Sequence, residues 1–127
     1  SIVIAVDTSG SIDPVVLAQF GAEVSAVLEA YDTLIDVVYC DTEIQGRGQY
    51  TRQDLPLELA PAGFGGTDYR PVFDFVDKEG IVPRCLVYLT DLECHRFPEN
   101  VPDYPVLWVQ TGHYPGSVPF GETVQMG

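Results

Sequence analysis

Unbroken apolar runs alternate with periodic apolar stripes along the chain. Ile2-Val3-Ile4-Ala5-Val6 has no polar interruption and reads as a fully buried strand. Asp13 and Pro14 then mark a helix start, as N-cap and first helical residue. Leu17, Phe20, Val24, Val27, Leu28 and Tyr31 recur at steps of three and four, with Gln19, Glu23 and Glu29 off the stripe. This predicts a helix over 14–31 whose stripe is ordinary core. Leu34 to Cys40 is β-branched and reads as strand two, so strand, helix and strand form a right-handed unit with parallel strands. Residues 43–51, with Ile44, Tyr50 and two glycines, predict an antiparallel edge strand returning from strand two.

Pro56, Pro61, Gly63, Gly65 and Gly66 forbid a long regular element between Arg52 and Gly66, although one helical turn near Gln53 fits. Thr67 or Asp68 can cap a helix from Pro71 to Glu79, which Gly80 stops. Cys85 to Thr90 is a further buried strand, Leu92 to Asp103 a long loop, and Val106 to Gln110 a fourth parallel strand. A short last strand fits within Glu122 to Met126. The expected fold is α/β: a Rossmann-like, doubly wound, mostly parallel sheet with one antiparallel edge strand. With no internal repeat and no linker, residues 1–127 read as one domain.

Net charge changes the picture of partners. At −13 the chain repels phosphate backbones and anionic lipid, which excludes nucleic acid and membrane surfaces as expected partners. No apolar run approaches the roughly 20 residues of a membrane helix. The first run is too short, and lacks the basic flank, to be a signal peptide. The chain has no initiator Met and begins inside a strand, so it is expected to be a domain cut from a longer protein. Three cysteines without regular spacing argue against a disulfide framework and for a reducing, cytoplasmic setting. Cys40 and Cys85 lie in apolar runs as core thiols. Cys94 beside His95 raises zinc, but no C-x-x-C or H-x-x-x-H spacing accompanies it.

The candidate chemistry lies at strand ends. Asp7-Thr8-Ser9-Gly10-Ser11 follows the first strand and places a carboxylate and three hydroxyls on a tight loop. That set suits a hard divalent cation that keeps some of its waters, and it equally suits an ordinary turn into the next helix. Asp41 falls at the end of strand two, on the same edge. Gly65-Gly66-Thr67 closes a second loop, and Asp91 follows Thr90 at the end of the Cys85 strand. Three loops thus carry oxygen ligands to one edge of one sheet, the edge where open α/β sheets bind ligands.

These motifs resemble the von Willebrand factor A-type fold with its metal-ion-dependent adhesion site: D-x-S-x-S after the first strand, a Thr in a second loop, and the Asp of a T-D pair after a later strand. The resemblance covers nearly the whole chain. A narrower one rests on Gly65-Gly66-Thr67-Asp68-Tyr69-Arg70-Pro71-Val72-Phe73, Tyr88-Leu89-Thr90-Asp91, Pro105-Val106-Leu107-Trp108-Val109 and Val118-Pro119-Phe120-Gly121-Glu122. These look like the bacterial A-like domain at the carboxyl end of predicted metal-dependent peptidases.

The resemblance implies that Ser9 and Ser11 bind Mg²⁺ (or Mn²⁺ or Ca²⁺) directly. It implies that Thr67 binds directly or through water, and that Asp7 and Asp91 act mainly through waters. One position would stay open for an acidic side chain of a protein partner. The implied partners are the parent's own peptidase domain and an ATPase of the AAA+ class. No H-E-x-x-H occurs in the chain, so a peptidase helix would lie elsewhere. The alternatives are a hydrolase acting through the metal and a structural domain with an empty site. Against a phosphoryl-transfer aspartate, Ser9 stands where a second acid is needed, and His95 and His113 are isolated loop residues. Two departures stand out. Leu92 follows the T-D pair where many relatives place Gly, and Glu93-Cys94-His95-Arg96 makes a bulky, charged loop. The chain is also short for an A-type domain and lacks a final helix. One face of the last strands is therefore expected to be exposed, or covered by the parent or a partner.

Overall fold

The computed structural model describes residues 1–9, 12–59 and 65–126. Its elements follow the apolar runs: β1 (Ile2–Asp7), α1 (Pro14–Leu28), β2 (Ile35–Cys40), β3 (Ile44–Tyr50), α2 (Arg70–Lys78), β4 (Cys85–Thr90), β5 (Val106–Gln110) and β6 (Glu122–Gln125). A 3₁₀ turn spans Arg52–Asp54, where one helical turn is expected. Among the described residues the strands form one sheet in the order β3-β2-β1-β4-β5-β6. Only β2 and β3 run antiparallel. The doubly wound α/β architecture read from the sequence is therefore the architecture of the chain. No helix among the described residues is long and apolar enough to cross a membrane.

The alternation of side chains along β1 explains why the sheet needs cover on both sides. Ile2, Ile4 and Val6 face α1 and pack with Leu17, Phe20 and Leu28. Val3 and Ala5 face the other way, into a cluster with Val72, Phe73 and Val76 of α2. Trp108 of β5 centres that second cluster. Its ring lies 5.1 Å from both Tyr69 and Tyr88 and 5.4 Å from Phe97. Its Nε1 donates to the Phe120 carbonyl at 3.0 Å. The chain folds back over the indole through Gly121, at φ 78°, where a Cβ would stand 2.5 Å from the Val106 carbonyl oxygen. Only glycine fits this turn.

α1 starts as expected, with Asp13 Oδ1 accepting the Val15 N–H at 2.7 Å and Pro14 in the first turn. It ends earlier than the stripe implies. After Leu28 the bonds tighten to Ala30 N–H to Val27 O and Tyr31 N–H to Leu28 O, and the turn unwinds. Val27 and Tyr31 are also not core, being 62% and 48% exposed. The reason lies in the connections. Phe97 and Tyr104, between β4 and β5, and Val118 and Phe120, between β5 and β6, all pack into the cluster on the α2 side. Both crossovers thus cover one face. The other face of β4 to β6 borders an open groove of about 640 Å³, lined by Val27, Tyr31, Val87, Val109, Val124 and Met126 among others. The stripe continues, but the surface it would cover is not closed.

Candidate metal centre

Chain order reverses at β1, which pairs with β2 on one side and β4 on the other. The crevice outside the carboxyl ends of β1 and β4 is therefore the switch point of the sheet, where such folds bind ligands. Asp7 is the last residue of β1, and Asp91 follows the last residue of β4.

Asp7 is fully buried, and Ser9 and Asp91 are buried beside it at 8% and 6% exposure. Asp7 Oδ1 accepts the Ser9 N–H at 2.9 Å, and Oδ2 accepts the Thr90 hydroxyl at 2.7 Å. A threonine hydroxyl has one proton, so the Tyr69 hydroxyl, 2.9 Å away, donates to Thr90 Oγ1. Thr90 Oγ1 also accepts the Leu92 N–H at 3.2 Å. This relay joins the residue before α2 to β4 and β1.

Burial pushes the Asp7 carboxyl above its ordinary value, and the Asp91 charge adds to the rise. The Ser9 N–H, the Thr90 hydroxyl and the Ser9 hydroxyl pull the other way. Ionised Asp7 therefore costs stability at neutral pH, and that cost lapses as pH falls through the raised value. Among the described residues no ion pair involves Asp7.

Thr67 is half-buried on a loop anchored from two sides. The Gly65 N–H donates to Asp41 Oδ2 at 3.1 Å, and the Asp68 N–H to the Asp41 carbonyl at 3.0 Å. From the other side the Cys94 thiol donates to the Thr67 carbonyl at 3.2 Å. A Cβ at Gly65 would stand 3.0 Å from Asp41 Oδ2, so the missing side chain lets the loop close on the end of β2. Burial pushes the Asp41 carboxyl up, but the donors Gln45, Glu43, Gly65 and Thr42 outweigh it and hold it below its ordinary value. Asp68 turns to Arg70 instead, accepting its Nη2 at 2.8 Å and its Nε at 3.0 Å.

Of the five residues expected to form the site, the structure brings Asp7, Ser9 and Asp91 together and fixes Thr67 on the loop leading to Tyr69. Ser11 lies outside the described residues. The reading of the sequence put Asp41 on this edge without giving it a role, and it missed Thr90 and Tyr69 as positioning residues. The T-D pair and the end of strand two hold the only signals for these roles. The residues present fit a small divalent cation: hard oxygen donors beside a buried carboxylate whose charge no described cation balances. Among the described residues no group of three or more His, Cys, Asp or Glu side chains is placed to hold a metal.

Leu92, the departure noted in the sequence, has φ 63° and is 2% exposed. A left-handed conformation costs a non-glycine residue about 1–2 kcal/mol, so this position holds strain beside the site. Leu92 also joins the core around Trp108, which offsets that cost. Leu92→Ala keeps the strain and loses the burial, an expected loss of about 2–5 kcal/mol. Leu92→Gly loses the same burial but releases the strain, and should be the milder change by about 1 kcal/mol. Urea unfolding of both variants checks this, and a glycine variant less stable than the alanine one would refute it.

No curated protein matches the sequence. A family model, the VWA-like domain (DUF2201), matches residues 2–127. With the sheet, its switch point and the strand-end loops in place, this match shows that the chain belongs to the family of VWA-like domains.

Proposed function

We propose that the chain is a divalent-metal-dependent protein-binding module whose site at the ends of β1 and β4 docks a carboxylate of a partner. The observation that carries this reading is Asp7: a fully buried carboxylate at the sheet's switch point, beside Asp91, with no ion pair among the described residues. A cation would balance that charge. Ser9, Ser11 and Thr67 would offer hydroxyls to Mg²⁺, or to Mn²⁺ or Ca²⁺, and Asp7 and Asp91 would supply charge. With so few direct carboxylates the ion stays electrophilic and attracts an acidic group from outside. A peptidase domain in the same parent protein and an AAA+ ATPase are the first candidates to provide it.

Thermal unfolding in EDTA and then in each cation tests the reading. An ion at 100 times its dissociation constant adds about 2.7 kcal/mol, which raises the midpoint of a chain this size by on the order of 10 °C. Asp7→Asn keeps the shape and an acceptor for Thr90 but removes the charge. Its other side-chain atom becomes an N–H₂ facing the Ser9 N–H that Asp7 accepts, so circular dichroism in EDTA checks that the variant folds, and the rise of its midpoint with metal should vanish. No rise for the wild type with any of the three ions would sink the proposal.

A further inference from the structure

A second groove runs between α2 and the 98–104 loop, on the face away from α1, and encloses about 670 Å³. Phe73, at 5% exposure, and half-buried Tyr104 line it as an aromatic surface. Val82 and Val101 also line it, yet they are 87% and 68% exposed, large apolar side chains left in water. Four carboxylates share the lining: Asp74 and Asp77 from α2, Glu99 and Asp103 from the loop. Among the described residues none of the four forms an ion pair. The lining holds one cation, Arg70, and its guanidinium is already forked onto Asp68. Burial and, to a smaller extent, the charge of Asp77 push the Tyr104 phenol beside the groove up to about 12.

We infer that this groove binds a cationic segment of a partner protein, one that interleaves Lys or Arg with aliphatic residues. Lysine and arginine join a long apolar stem to a charged head. The stems can lie on Phe73 and Tyr104 while the heads meet the four carboxylates, and the aliphatic residues cover Val82 and Val101. Electrostatic complementarity of this kind selects the sign of the partner and speeds encounter. The inference is independent of the metal reading, because none of its residues belongs to the proposed metal site.

The test is fluorescence anisotropy with a short fluorescein-labelled peptide that interleaves lysine and leucine, at about 150 mM salt. EDTA is present throughout, so the metal site cannot contribute. Saturable binding is expected. Asp74→Asn with Asp77→Asn should weaken it about tenfold. Glu29→Gln with Asp32→Asn removes the same charge from an exposed surface beyond the groove, and should change binding less than about twofold. Val101→Ser, which leaves every charge in place, should weaken it about threefold or more. Circular dichroism checks that each variant is folded; all the substituted residues are exposed. The inference is overturned by any of three results: no saturable binding, equal weakening by the two double variants, or an unchanged affinity for Val101→Ser.

Discussion

Thr90→Val is expected to cost about 3–5 kcal/mol of folding stability although it barely changes the volume of the side chain. Thr90 is fully buried, and its hydroxyl does three things at once. It donates to Asp7 Oδ2, accepts from the Tyr69 hydroxyl and accepts the Leu92 N–H. Valine leaves a carboxylate short of a donor and two donors short of an acceptor, all beyond easy reach of water. Each such group costs about 1–3 kcal/mol, and a charged one more. Thr90→Ser keeps the hydroxyl and should stay within about 1.5 kcal/mol of the wild type. Urea midpoints followed by the fluorescence of Trp108, the chain's one tryptophan, give both numbers. A valine variant within 1 kcal/mol of the wild type would show that the relay contributes little.

Trp108→Ala should be as severe, at about 3–5 kcal/mol, by a different route. The indole is fully buried and touches aromatic rings from both crossover loops and from the start of α2. Its removal opens a cavity that rings held on three separate segments cannot fill together. Trp108→Phe keeps an aromatic ring and loses the bond to the Phe120 carbonyl, an expected cost of about 1–2 kcal/mol. Circular dichroism replaces fluorescence for these variants. For a domain whose total stability is about 5–15 kcal/mol, the alanine variant would approach the limit of folding. A loss below 2 kcal/mol would mean that the loops collapse onto the vacated space.

Most of the fold was legible because its central strands are unbroken apolar runs. Runs such as Ile2 to Val6 and Cys85 to Thr90 need no partner to be recognised, and the Asp that ends or follows each one marks the edge where ligands bind. β3 was legible for the opposite reason, since its glycines and alternating exposure suit an edge. The end of α1 was not. Val27 and Tyr31 keep the helical period, and nothing local in the sequence reports that the strands beneath them lack cover.

The site divides in the same way. The positions of Asp7 and Asp91 follow from strand ends. The relay through Thr90 and Tyr69 depends on groups 83 and 21 residues apart that only the sheet order brings together. Leu92 was visible as a departure, but a leucine carries no local signal for a left-handed backbone, and burial rather than propensity holds it there.

The burial of β1 has a kinetic consequence. Every side chain of β1 is buried, and the strand has a neighbour on each side. Its amide hydrogens can therefore exchange with solvent only when the whole sheet opens. β6, exposed along its length with one neighbour, can open alone. Because Asp7 is covalently continuous with the slow-exchanging strand, whatever binds there slows the opening of the centre and leaves the fraying of the edge unchanged.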